Sequence, residues 1–300
     1  MRPSITVVGG ANTDIVGLPT SRFAFRDSIP GRVRVSSGGV GRNIAESLAR
    51  LGAHVRLVTA FGDDLEAERL AAECEELGID TSFCVRAAGV PGSRYLAVMD
   101  GAGDLAAAVS DMRALEALTP DALDPAAFAG ADAVVLDTNL QPSTIARAAD
   151  LAGAAPVVLD PVSTAKAGAA RPVLGRLAAL KPNLREAEEL SHAAGAVGAA
   201  QRLVELGVQR VFVTMGSEGA WCASAEEAFL LAAAPARVVN VTGAGDAFTA
   251  GVAWGAATGM SLRETSQWAA GLSALTIGSE RTVSERVSME LLWTGEGVEP

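Results

Sequence analysis

Two lysines, two histidines, three cysteines and a single tyrosine are spread over 300 residues. Each scarcity excludes something. The lysines are Lys166 and Lys181, and neither follows a glycine. The Gly-Lys-Ser/Thr core of a phosphate-binding P-loop is therefore absent. Cys74, Cys84 and Cys222 are odd in number and far apart, with no CxxC or Cys/His spacing. Neither a zinc site nor a disulfide framework is expected, and a reduced compartment is. His54 and His192 have no Ser or Cys partner visible in the sequence, so packing or surface roles are expected for both. Positive charge is also short: 24 Lys and Arg against 35 Asp and Glu leave a net charge of −11 and a pI near 4.8. Nucleic acid and anionic membranes are poor partners for such a surface. No apolar run reaches membrane length, and residues 247–260, the most apolar stretch, carry two threonines. The start, MRPSITVVGGANTD, turns polar too soon for a signal peptide. The expectation is a soluble, cytoplasmic protein.

What is present is an alternation. ITVVGG, HVRLVTAFG, ADAVVLDTN, APVVLDPV and RVFVTMG are strand-like, and helix-like segments such as GRNIAESLARLG and DLEAERLAAECEELGI lie between them. Continuous β-branched runs suit parallel strands covered on both faces. The class is α/β with a mostly parallel sheet. Two segments, about 16–36 and 80–110, break the rhythm with alternating runs such as RVRVS and SRYLAVMD. They read as antiparallel strands that pair into a small β lid over the carboxyl ends of the sheet, where open α/β sheets bind ligands.

The tetrapeptide GAGD occurs twice, at 101–104 and at 243–246. The first copy joins SRYLAVMD to LAAAVSD and reads as a hairpin turn. It also fits a loose GxGxxA dinucleotide fingerprint, but no clear helix follows, so a dehydrogenase is a distant alternative. The second copy lies between the strand-like RVVNV and the Ala-rich AFTAGVAWGAATG. Strand, Gly-rich turn and helix point unpaired N–H groups at an anion. The amides of Ala244, Gly245 and Asp246 would hold charge developing on a transferring phosphoryl group. Asp246 would take the proton of an attacking hydroxyl; the bland alternative is a helix cap. Asn12 and Asp14 are expected at the end of the first strand and Asn43 in the first turns of a helix, together a plausible pocket for a polyol.

GGVGRNIAESLARLG resembles the amino-terminal signature of the PfkB, or ribokinase-like, sugar and nucleoside kinases, and VTGAGDAFTAG resembles their carboxyl-terminal signature. The resemblance spans the chain. It implies one kinase domain over residues 1–300, with a ribokinase-like three-layer core and a small β lid. It implies ATP-dependent phosphorylation of a sugar hydroxymethyl group, with Mg²⁺, and a homodimer formed through the lid. Residue by residue, Asp246 matches the base and Gly243, Ala244 and Gly245 the anion hole. Asp14, Gly39 and Asn43 match sugar contacts. Asn183 and Glu186 match the pair that organises Mg²⁺ and phosphates through water, and Thr214 and Gly216 a nucleotide-binding turn.

Two positions depart from the pattern. Val40 stands where ribokinases have lysine. Asn240 stands where potassium-activated members carry Asp, which puts monovalent-cation activation in doubt. SIPGRVRVSSGGVGRNIAESLARLG, LAAAVSDM, LDTNL and LDPVSTAKA resemble the pseudouridine kinases within that family. The implied acceptor is a C-nucleoside 5′ hydroxyl, with Asn139 and either Ser110 or Asp111 helping to hold it. Ribose, adenosine or inosine remain alternative acceptors, and a non-catalytic sugar-binding sensor is the reading from another class.

Overall fold

The computed structural model describes residues 2–22, 24, 26–100 and 104–289. In chain order its strands and helices are β1 (Ser4–Val8), β2 (Asn12–Pro19), β3 (Gly31–Gly38), α1 (Val40–Arg50), β4 (His54–Val58), β5 (Ala60–Phe61), α2 (Leu65–Glu76), β6 (Val85–Arg86), β7 (Arg94–Met99), β8 (Leu105–Asp111) and β9 (Ala133–Asp137). There follow α3 (Pro142–Leu151), β10 (Val157–Asp160), α4 (Thr164–Ala167), β11 (Ala179–Leu180), α5 (Leu184–Ser191), α6 (Gly195–Glu205), β12 (Arg210–Thr214), β13 (Ala220–Ser224), β14 (Ala228–Leu231), α7 (Ala244–Thr258) and α8 (Leu262–Ile277).

The main sheet has the order β14-β13-β12-β11-β10-β9-β1-β4. From β12 to β4 every neighbour is parallel, and β13 and β14 extend the edge antiparallel. Side chains alternate between two cores, as strands covered on both faces require. Val134, Leu136, Val157, Leu159, Val211 and Val213 pack on one side with α3, α5 and α6. Ile5, Val7, Val135, Val158 and Phe212 pack on the other with α1, α7 and α8. The result is the expected α/β architecture of three layers.

A separate four-stranded sheet has the order β3-β2-β7-β8. Both irregular segments contribute to it and do pair: β2 runs antiparallel to β3 and parallel to β7, and β7 and β8 form a hairpin. Its strands lie at 12–38 and 94–111, displaced from the expected 16–36 and 80–110. Residues 85–86 belong instead to a two-residue strand paired with β5. The first GAGD joins β7 to β8, and its residues 101–103 lie outside the described residues.

Two local expectations fail. RVVNV forms no strand: Val238, Val239 and Val241 are 68, 47 and 68% exposed. The segment is tied instead by two backbone bonds to Ile277 at the end of α8. A β-branched run has strand propensity, but without a neighbour in register it stays irregular. GGANTD does not end the first strand either. β1 stops at Val8, and Asn12 and Asp14 stand on β2 of the smaller sheet.

Candidate active site

The parallel strands deliver their last residues to one end of the main sheet. β9 and β10 both end in Val-Val-Leu-Asp, and the ladder sets Asp160 opposite Asp137. Asp137 is buried and accepts backbone N–H bonds from Gly10 (2.8 Å), Gly41 (2.9 Å) and Asn139 (2.9 Å). It therefore ties β9 to the turn after β1 and to the first turn of α1. Burial pushes its carboxyl up to about 6 and Asp160 adds to the shift, against the bonds from Gly10 and Asn139.

Asp160 pairs with the buried Lys181, whose Nζ lies 2.8 Å from Oδ2, and the Thr249 hydroxyl donates to the same oxygen at 2.6 Å. Burial works against the Lys181 charge, but Asp160, Glu186 and Asp246 outweigh it and raise its pKa. Thr249 sits on α7, so this network reaches from two strands to the helix that follows the second GAGD. Had Gly245 a Cβ, that atom would stand 3.2 Å from the Lys181 Nζ. The lysine thus lies directly beneath the turn.

That turn begins at Gly243, which caps α7 with φ +83 and has the carbonyl of Thr282 where a Cβ would be. Only glycine meets both demands. Ala244, Gly245 and Asp246 occupy the first turn, where helix N–H groups have no intrahelical partner; that of Ala244 reaches the Val241 carbonyl at a long 3.4 Å. The Asp246 carboxyl accepts a 2.8 Å bond from Asn43 Nδ2. The two signature segments, 203 residues apart, thus meet through one hydrogen bond. Burial, then Asp160, push the Asp246 carboxyl up to about 7, while Asn43 and Lys181 pull the other way. A carboxyl with a pKa near neutrality can take and release a proton.

The remaining expected residues fall around this centre in two groups. Asn12 donates to Asp14 at 2.6 Å, and Asp14 faces Gly38, just before Gly39 at the start of α1. Burial raises the Asp14 carboxyl; Asn12 and Arg42 oppose the shift. Asn139 stands against Gly10, and its Oδ1 accepts a 2.6 Å bond from Lys166. On the other side of α7, Thr214 and Gly216 line one cleft with Ala244, Gly245, Phe248 and Ser273. Gly216 belongs to the β12–β13 connection, which is a hairpin turn and a cleft wall at once.

Asn183 and Glu186 form a reciprocal cap at α5, with bonds of 2.7, 2.8 and 3.0 Å. Each Glu186 oxygen already accepts one bond from Asn183 and keeps lone-pair capacity for a water. Among the described residues no three His, Cys, Asp or Glu gather as a metal site. Oxygen donors of this kind are compatible with a divalent ion carried by phosphates. Asp111 is bound two-fold by Arg113, which holds its carboxyl at about 2.

Asp137, Asp160, Lys181, Lys166 and Thr249 were not anticipated. The signal for the two aspartates was legible, since both AVVLD and PVVLD end a buried strand in a carboxylate.

Strand-end carboxylates around a Gly-capped helix, with a cleft lined by Ala244, Gly245 and Phe248 of that helix, suit a phosphotransferase of the α/β class. Comparisons agree. A model of the pfkB family carbohydrate kinases matches residues 2–287. The pseudouridine kinase of Escherichia coli K12 is 32% identical, over 95% of this chain and 94% of its own. An uncharacterized sugar kinase of the same organism, YeiI, is 36% identical over 91% of this chain and 78% of its own. The ribokinase of Arabidopsis thaliana, solved with ribose and ATP, superposes with a TM-score of 0.84 at 23% identity, over 97% of this chain and 99% of that one. The chain belongs to the pfkB family of carbohydrate kinases and is a phosphotransferase. Among the described residues no helix is long and apolar enough to cross a membrane.

Proposed function

We propose that the chain transfers the γ-phosphoryl group of ATP to the 5′ hydroxyl of a ribosyl substrate, and that the substrate is pseudouridine. The observation that carries the reaction is the buried Asp246, at the first turn of α7 and bonded to Asn43. Asp246 accepts the proton of the substrate hydroxyl as its oxygen bonds to phosphorus. The bond from phosphorus to the β–γ bridging oxygen breaks, and ADP departs. The Gly243–Asp246 amides hold the charge on the migrating group. Lys181 adds a buried positive charge beneath them. Mg²⁺, reached by Glu186 through water, would neutralise the β- and γ-phosphates. Thr214 and Gly216 bound the cleft that takes the nucleotide.

Asn12, Asp14, Gly39 and Asn43 form the ribose side of the pocket, and Asn139 with Lys166 the side away from Asp246. The four-stranded sheet serves as the lid: Asp14, Ser36, Tyr95 and Ser110 are in register on one of its faces. The pseudouridine assignment rests on the similarity to the Escherichia coli enzyme, and ribose, adenosine and inosine are its competitors. ADP release from Mg-ATP decides. Turnover on pseudouridine alone, lost in Asp246→Ala, is the expected result. Turnover confined to ribose or a purine nucleoside would overturn the substrate, and tight sugar binding without ADP release would overturn the enzyme reading.

Asn240 Oδ1 accepts from the Thr242 N–H at 3.0 Å and its Nδ2 donates to the Glu280 carbonyl at 3.3 Å. With a neutral side chain already engaged there, the rate is expected to be indifferent to potassium.

A further inference from the structure

The i, i+4 spacing of Arg42, Glu46 and Arg50 on α1 builds a buried charge ladder behind the active site. Arg42 Nη1 lies 2.7 Å from Glu46 Oε2, and Arg50 approaches Glu46 Oε1 at 2.7 and 2.8 Å. Arg42, Asn43 and Glu46 are only 6, 4 and 5% exposed. A glutamate so deeply placed is tolerable because two guanidinium groups bracket it. The same Arg42 Nη1 also donates to Asn43 Oδ1 at 3.3 Å, and Asn43 Nδ2 donates to Asp246 at 2.8 Å.

An amide side chain can point either end at a neighbour. Reversed, Asn43 would aim a carbonyl oxygen at the Asp246 carboxylate. A donor fixed on Oδ1 forbids that orientation. We propose that Arg42, anchored by Glu46, is a positioning residue for the base: it holds the Asn43 amide so that its N–H end faces Asp246. The inference rests on the reading of Asp246 as base. The backbone around it is fixed, since the Arg42 N–H donates to Gly10 O at 3.0 Å and a Cβ on Gly41 would collide with Gly9.

Other charged and titratable groups surround the chain of contacts. Arg42 acts on Asp14 from β2 and on Cys74 from α2. Glu73 and Glu76 of α2, and Glu280 and Arg281 beyond α8, line the same cavity as Arg42. Asp246 itself faces Asp160, Asp137 and Lys181. None of these replaces the bond to Asn43 Oδ1.

The test uses two variants of the full chain. Arg42→Lys keeps a cation opposite Glu46 but lacks the fork that reaches both partners. Arg42→Met/Glu46→Met removes both deeply buried charges together; Arg50, with 19% of its side chain exposed, is left without Glu46 but with access to water. Thermal unfolding identifies which of them folds. The profile of kcat/KM against pH is then measured from about pH 5.5 to 9.5. Loss of the Asn43 donor disfavours the Asp246 carboxylate, so the acidic limb should move up by about one pH unit. The rate should return to within about threefold of the parent at the alkaline end, where the base ionises regardless, with KM for Mg-ATP unchanged. A purely structural role would lower the rate by one factor at every pH. An acidic limb superposable on the parent's overturns the proposal. Asp246→Ala separates the two layers. If it keeps turnover, the base reading itself fails. If it is silent while the Arg42 variants keep the parent limb, only the positioning role falls.

Discussion

Asp246 carries opposite demands on stability and on catalysis. Its carboxyl is raised to about 7 by burial and by Asp160. The folded state therefore binds a proton over the window from about 4 to 7 that the unfolded chain has already released, so stability falls as pH rises through that window. Asp246→Asn removes this burden. Its unfolding temperature at pH 8 is expected to rise by roughly 2–4 °C in calorimetry, while kcat falls by about 10²–10⁴. Unchanged kcat with the higher temperature would leave Asp246 a structural acid. For the parent, kcat/KM should fall below about pH 7 as Asp246 takes up its proton, since a protonated carboxyl accepts no second one. At this scale much was legible. Gly243, Asp246 and Asn43 could be named because GGVGRNIAESLARLG and VTGAGDAFTAG resemble a pair of family signatures, whereas the tetrapeptide alone also suits a helix cap or a turn. Lys181 and Asp160 could not be joined from sequence, because their contact depends on adjacent strands ending level.

The elements carry a different lesson. α5 starts with Asn183 and Glu186 capping each other, so the pair expected to organise phosphates also secures a helix. The two roles separate by experiment. Asn183→Ala should cost about 1 kcal/mol of stability through the lost cap. It should also free Glu186 and raise KM for Mg-ATP several-fold with little change in KM for the nucleoside. A loss of stability with both KM values unchanged would confine the pair to capping. Strands and helices were readable wherever a run was both apolar and periodic, as at ADAVVLDTN and DLEAERLAAECEELGI. They were misread at RVVNV, where three valines imitate a strand but lie in solvent. Propensity is a property of the residue, whereas pairing belongs to a distant partner, and no strand of the described residues takes RVVNV as a neighbour. The smaller sheet shows the same limit. Its strands were visible as alternating runs, but the parallel pairing of β2 with β7 joins residues about eighty positions apart and fixes boundaries that no local pattern marks.

For the whole molecule, the open question is what covers the second face of the smaller sheet. Val35, Ile15, Leu96 and Val109 stand in one row across all four of its strands, and Val33 lies two residues from Val35 on the same face. Val33, Val35, Leu96 and Val109 are 71, 59, 43 and 64% exposed. Alternating strands normally turn polar residues outward, so an apolar row on the outside marks a surface meant to be covered. Among the described residues no strand pairs with the outer edges of β3 and β8. A second copy offers the same row and the same edges, and a two-fold axis lets each cover the other. The chain is therefore expected to sediment as a dimer at micromolar concentration. Val35→Glu with Val109→Glu should give monomers whose unfolding temperature is nearly that of the parent core, because neither residue packs against the main sheet. Their KM for the nucleoside should rise more than their KM for Mg-ATP, since Asp14 stands on the sheet that would lose its support and the nucleotide cleft does not. A parent chain that sediments as a monomer would remove the partner from this account. A monomeric variant with unaltered nucleoside KM would keep the dimer but detach it from the active site.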